Sequence, residues 1–232
     1  MVSAIQGFTG NELFHAYKRD EAAKNVISKL MPNFYEDIDA EVIIEKNRSW
    51  TNNIEILKWY VDPEPKIICP VRGIDEILAS FLAMIHRNPL KPTDDTLIFI
   101  DQALVMKGQK LTDHNRCMHL ISDAGVLGQA YVGLEEAFEK HRKNLHFVEY
   151  NDLVANPALE LARIYDFIGE PTYQHTFDDI SNATQEADGS NYGLADMHEV
   201  RSVVEHRTNR VKPEDIVPEE ILKSIQGEEF WR

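Results

Sequence analysis

The sequence predicts an α/β protein, a parallel sheet flanked by helices, and two observations carry that prediction. Short apolar or β-branched runs alternate with segments of helical period, and the connections between them are short. Strand, helix, strand, helix in this spacing marks βαβ units, whose strands run parallel because the crossover helix returns the chain to the same end of the sheet. No internal repeat or low-complexity linker divides the chain, so residues 1–232 read as a single domain, long enough to close one core.

Residues 11–30 read as a helix, with Leu13, Phe14, Tyr17, Ala22, Val26, Ile27 and Leu30 on one broad face and Pro32 ending it. Residues 41–46 (EVIIEK) read as the first strand. Ser49 or Thr51 caps a helix over 50–60, and residues 62–65 (DPEP) form a loop. Residues 66–71 (KIICPV) are the second strand, with Pro70 at its end because proline has no ladder donor. A helix follows over 75–86. The stretch 88–113 is mixed: a substrate-side insertion or two short elements. A helix is expected over 115–143, weakened by Gly125, Gly128 and Gly133. Residues 145–150 (LHFVEY) are the third strand. Asn156 and Pro157 open another helix that Gly169 closes, and a last helix lies near 218–225.

The formal charge of −15 makes the chain a poor partner for nucleic acid or an anionic membrane, since both require positive surface. A small anionic ligand needs only a few basic groups at one point. No apolar run is long enough to span a bilayer, and the first twenty residues lack the basic start and apolar stretch of a signal peptide. Cys69 and Cys117 are the only cysteines; Cys69, inside an apolar run, reads as a buried thiol. These features predict a cytoplasmic location. Nine histidines without an HxxxH or HExxH pattern predict no metal site. The absence of GxSxG, of GxGxxG after a strand and of GxxxxGK[ST] argues against an acyl hydrolase, a dinucleotide fold and a nucleotide kinase.

In open parallel sheets, ligands bind beyond the carboxyl ends of the strands. The first predicted strand ends at Lys46, with Arg48 just after it; the second leads into Arg72; the third ends at Tyr150. Cations at strand ends, beside helix N-termini, make an anion site. Ser80, eight residues after Arg72, offers a hydroxyl from the next helix. Taken singly, each has an ordinary reading: a solvated arginine, a core-edge tyrosine, a small helix-packing serine. The argument lies in their joint placement.

These residues also carry a family resemblance. EKNRSW (45–50) resembles a sulfotransferase segment of the D-K-x-R kind. KIICPVRGIDEILASF (66–81) is similar to the segment with which that family binds the 3'-phosphate of 3'-phosphoadenosine-5'-phosphosulfate (PAPS). HFVEYNDLVANPALELARIYDFIGEP (146–171) resembles its Y-E-D-L, N-P and F-L-G stretch. GLADMHEVRS (193–202) is similar to a C-terminal segment of some bacterial and phage-like members. The resemblance implies a P-loop-NTPase-like α/β fold, PAPS as co-substrate without a metal, and sulfuryl transfer to a hydroxyl or amine of a small-molecule or glycan acceptor. It implies that Arg72 and Ser80 hold the 3'-phosphate, with Arg201 as a second contact. Tyr150 would lie near the adenine or that phosphate. Lys46 would face the transferring sulfuryl group or the bridging oxygen, with Arg48 close by on the cofactor side.

Two departures qualify the resemblance. The family opens with a strand and a P-R-S-G-S/T-T loop whose backbone N–H groups hold the 5'-phosphosulfate. Nothing before Glu41 fits it; Gly7-Phe8-Thr9-Gly10 has no apolar strand before it and no basic residue beside it. The expectation is that the first strand and phosphate loop are missing, with Met1 an internal start or the gene truncated. Secondly, cytosolic members carry a basic histidine two residues after the lysine, where this chain has Arg48, which cannot accept a proton near neutral pH. His15, Glu36, His86 and His198 remain candidates, and none is assigned. The alternative is therefore a non-catalytic module that binds nucleotide or a partner. Acceptor contacts are expected from residues 88–113 and from the tail after Phe177.

Overall fold

The computed structural model describes residues 5, 7, 10, 12, 16, 20–90, 97–182, 187–205 and 210–232. The chain divides into two compact units, Met1–Ile67 with Ala130–His146, and Ile68–Gln129 with Phe147–Arg232.

In the first unit, α1 (Asp20–Ile27) buries Ala23 and Ile27, four residues apart on one face, against Ile5, Trp50 and Leu57. Leu13, Phe14 and Tyr17, expected on the same helix, lie outside the described residues. Pro32 does not end that helix. It sits within the first turn of a separate short helix, α2 (Leu30–Phe34), where the leading N–H groups have no intrahelical acceptor and a missing donor costs nothing. A 3₁₀ turn (Thr51–Asn53) leads into α3 (Ile54–Tyr60), which together occupy the helix expected over 50–60.

Residues 41–46 are not a strand. The run has no regular secondary structure, and Val42, Ile43 and Ile44 are 42%, 43% and 71% exposed. Side-chain branching suits a pleated surface, but a strand exists only where a neighbour takes its backbone groups, and the described sheet has two strands. What fixes this segment is Glu45, which accepts a hydrogen bond from the indole N–H of buried Trp50.

The sheet pairs β1 (Ile67–Val71) with β2 (Leu145–Glu149). The two run parallel. Their starts are tied by buried Asn144, whose Nδ2 donates to the Pro65 carbonyl at 3.0 Å. Pro70 is exposed next to the end of β1, where a missing donor is tolerated.

In the second unit, α4 (Ile74–Arg87) follows β1 after a two-residue turn and places Leu78, Ala79, Leu82 and Ile85 on one buried stripe. That stripe packs against Ile98 and Ile100 at the start of α5 (Phe99–Met106), Cys117 and Leu120 of α6 (Asp113–Ile121), and Leu194. Buried Asp101 receives Arg116 bidentately at 2.8 and 2.9 Å, pinning α5 to α6. The helix expected over 115–143 is two helices, α6 and α7 (Val126–His141). Gly125 permits the break: a Cβ there would lie 2.0 Å from the His119 carbonyl oxygen.

After β2 come α8 (Tyr150–Ala155) and α9 (Pro157–Ile168). The latter starts as its sequence predicts: the Asn156 side chain accepts from the Leu159 N–H and Pro157 fills the first turn. Gly169 closes it at φ 84°, a left-handed conformation that glycine adopts without a Cβ clash. Three short helices complete the described chain: α10 (Asp188–Tyr192), α11 (Pro213–Ile216) and α12 (Glu219–Ser224), the last being the helix expected near 218–225. No helix is long and apolar enough to cross a membrane among the described residues.

Both cysteines are buried, and burial pushes the Cys117 thiol up to about 12. A thiol with that value stays protonated, and hence unreactive, throughout the neutral range. Iodoacetamide at pH 8 is expected to leave Cys117 unmodified in the native protein and to label it once urea unfolds the chain, as read by mass spectrometry.

Candidate functional site

Parallel strands that start side by side also end side by side. Arg72 is the first residue after β1 and Tyr150 the first after β2, and the Arg72 guanidinium lies 4.8 Å from the centre of the Tyr150 ring. A second guanidinium, from Arg210 just before α11, lies 4.6 Å from the same ring. Ring π-density offsets part of the cost of bringing two cations together. A carboxylate offsets the rest. Glu76, in the first turn of α4, accepts from Arg72 Nε and from Asn151 Nδ2, both at 3.2 Å, and its other oxygen lies 3.9 Å from Arg210 Nη1. Asn151 in turn accepts from Arg210 Nη1 at 3.0 Å.

The arrangement leaves donors unspent. Arg210 Nη2 is buried without a hydrogen-bond partner among the described residues. A buried N–H of a cation with nothing to bind is costly, and a site built to receive an oxyanion accounts for it. The fully described cluster contains two guanidinium groups and one carboxylate, a net charge of +1 within a chain of net charge −15.

The end of β2 is held from the far side of the sequence. Trp231 Nε1 donates to Glu149 at 2.8 Å, and Arg232 Nε donates to the same carboxylate at 3.1 Å. The Glu149 hydrogen bond holds the Arg232 guanidinium above its ordinary value. Glu149 directly precedes Tyr150, so these contacts anchor the end of β2 from which Tyr150 projects.

A cleft of about 710 Å³ adjoins the cluster, sharing Glu76 and Asn151 with it. Its remaining charged lining is Asp75, Glu214, Glu219 and Glu229 against Lys223 and Arg232. Its carboxylates outnumber its cations, so a polyanion would be repelled there. The anion-competent surface is the arginine side of Glu76.

The other residues singled out in the sequence fall as follows. Ser80 is exposed on α4, one turn beyond Glu76 and therefore on the same side of that helix. Arg201 is exposed, next to the pairing in which Ile180 N–H donates to Ser202 and Val204 N–H donates to Phe177, both at 2.9 Å. Lys46 and Arg48 are exposed and belong to the first unit, while Arg72, Ser80, Tyr150 and Arg201 belong to the second. Among the candidate bases, His15 lies outside the described residues and Glu36 is exposed. His86 Nε2 meets Asp113 at 2.9 Å. His198 Nδ1 meets Asp188 at 2.7 Å, and the His198 side chain holds the Asp188 carboxyl below its ordinary value.

Sequence reasoning missed Glu76, Asn151 and Arg210. Glu76 stands four residues after Arg72, the spacing of a helical ion pair, and that signal was available. Arg210 had no local signal, since its partners lie far away in sequence.

Described to this point, the molecule is an α/β protein with an oxyanion-competent arginine pair at the carboxyl end of a parallel strand pair. The family model described as "Sulfotransferase domain" matches residues 51–212, more than half of the chain, and the protein belongs to that family. No curated protein matches the chain. Among solved structures, a sulfotransferase domain from the curacin biosynthetic pathway is similar at 14% identity and a TM-score of 0.46. The match covers 88% of this chain, which spans 61% of that structure's length.

If the ring supports both guanidinium groups, its removal should cost stability that its hydroxyl does not supply. Tyr150→Ala is expected to lower unfolding free energy by about 1–2 kcal/mol and Tyr150→Phe by under about 0.5 kcal/mol, measured by urea denaturation.

Proposed function

We propose that the protein is a sulfotransferase that takes a sulfuryl group from PAPS and passes it to a hydroxyl or amine of a small-molecule or glycan acceptor. The observation that carries this reading is the Arg72–Tyr150–Arg210 cluster, with its unspent buried donor on Arg210, in a chain that belongs to the sulfotransferase domain family. The residues fit a terminal phosphate. Two guanidinium groups can meet its oxygens with charge-assisted bonds, and Ser80, on the same side of α4 as Glu76, adds a hydroxyl. Tyr150 would lie beside that phosphate, its ring engaged by the two guanidinium groups. Arg201, the second contact that the family pattern suggests, is replaced in this reading by Arg210.

In the reaction, the bond from sulfur to the bridging phosphate oxygen breaks as the acceptor oxygen or nitrogen bonds to sulfur. The acceptor proton passes to a base, and 3'-phosphoadenosine-5'-phosphate leaves. By the family resemblance, Lys46 is the cation for the developing charge on the bridging oxygen and Arg48 belongs to the cofactor side. Binding of the 3'-phosphate orients the nucleotide, and orientation is a large part of such a barrier. The net charge and the lack of an apolar membrane-length helix among the described residues suit a cytoplasmic enzyme with small-molecule partners.

The test uses two isomers. 3'-Phosphoadenosine-5'-phosphate and ADP carry the same groups, but only the first has a 3'-phosphate. The first is expected to raise the melting temperature well above what ADP achieves, because a ligand stabilises the native state in proportion to its affinity. Arg72→Ala and Arg210→Ala should each weaken the 3'-phosphorylated nucleotide by about tenfold or more in calorimetric titration, the loss of a charged hydrogen bond. Equal stabilisation by the two isomers would refute the assigned phosphate site.

A further inference from the structure

Glu76 is an odd neighbour for an anion site. A carboxylate beside a phosphate-binding arginine pair repels the ligand, and by charge alone it should weaken binding. Its contacts point to another role. It engages Arg72 through Nε, the inner edge of the guanidinium, and the described contacts leave both Nη atoms of Arg72 unused. The same carboxylate oxygen takes the Asn151 amide, and that amide's oxygen takes Nη1 of Arg210. Arg210 is thereby held by one terminal nitrogen, and Nη2 is left buried and unpartnered. One carboxylate thus fixes two guanidinium groups from opposite ends of the unit, directly for Arg72 and through Asn151 for Arg210.

We propose that Glu76 is a positioning residue of the phosphate site: with Asn151 it locks the two arginines so that Arg72 Nη1, Arg72 Nη2 and Arg210 Nη2 face a phosphate monoester. The inference rests on the phosphate-site reading above and goes beyond it. Two long cationic side chains lose rotamer freedom when they grip a ligand, and a site that has already immobilised them does not incur that loss on binding. Glu76 can do this because its backbone is fixed in the first turn of α4, where a negative charge is also favoured by the helix dipole. Tyr150 completes the lock by supporting both guanidinium faces.

Positioning and bare charge predict opposite signs, so the experiment is decisive. Titration calorimetry of 3'-phosphoadenosine-5'-phosphate and of ADP is carried out on the wild type, Glu76→Ala and Glu76→Gln. Glu76→Ala is expected to lower affinity for the 3'-phosphorylated nucleotide by about tenfold or more while changing ADP by less than about threefold. Glu76→Gln retains one oxygen for Arg72 Nε and should recover part of the loss. Affinity that is unchanged or tighter in Glu76→Ala overturns the proposal. If Glu76→Ala fails to fold, Glu76→Gln decides by the same sign. A wild type that does not distinguish the two isomers refutes the phosphate site itself, and the role of Glu76 falls with it.

Discussion

The repulsion between the guanidinium groups of Arg72 and Arg210, both within 5 Å of the centre of one tyrosine ring, is the constraint around which this site is built. Two cations gathered on one ring are held there by compensating contacts. Here the ring of Tyr150 offers its negative face and Glu76 offers a full charge, in contact with Arg72 and 3.9 Å from Arg210. The compensation is incomplete by one positive charge. That surplus, fixed at the carboxyl end of two parallel strands, gives an acidic chain a place to hold a small anion.

Each member of the cluster is held by an element whose position follows from ordinary packing. Arg72 and Tyr150 are neighbours because their strands are paired and start together at Asn144 and Pro65. Glu76 is presented by α4, whose opposite face is sunk into the core through Leu78, Ala79, Leu82 and Ile85. The end of β2 is tied by Trp231 and Arg232 to Glu149. Precision at the site is thus inherited from a buried helix and a strand end.

The parts of this arrangement that were legible in the sequence are those set by local pattern. KIICPV and LHFVEY are compact apolar runs that hold the two strands; Arg72 and Tyr150, the first residues after the observed strands, meet as the strand-end rule requires. The caps of α9 at Asn156 and Gly169 were equally plain. EVIIEK misled because β-propensity reports fitness for a pleated surface, while strand formation depends on a partner that a single sequence does not display. The break between α6 and α7 was signalled by glycines that were read only as weakening a helix; Gly125 instead marks a close approach to the His119 carbonyl. Arg210 was illegible because its partner Asn151 is 59 residues away, and no periodicity spans such a distance. Arg201 is carried by a motif in the sequence, and it lies exposed beside the Ser202–Ile180 pairing.

The most direct measurement of the central claim is a crystal structure of the protein with 3'-phosphoadenosine-5'-phosphate. The account predicts the 3'-phosphate within hydrogen-bond distance of the Nη atoms of Arg72 and of Nη2 of Arg210, with Glu76 still on Arg72 Nε. A nucleotide bound elsewhere, with these two guanidinium groups untouched, would contradict it.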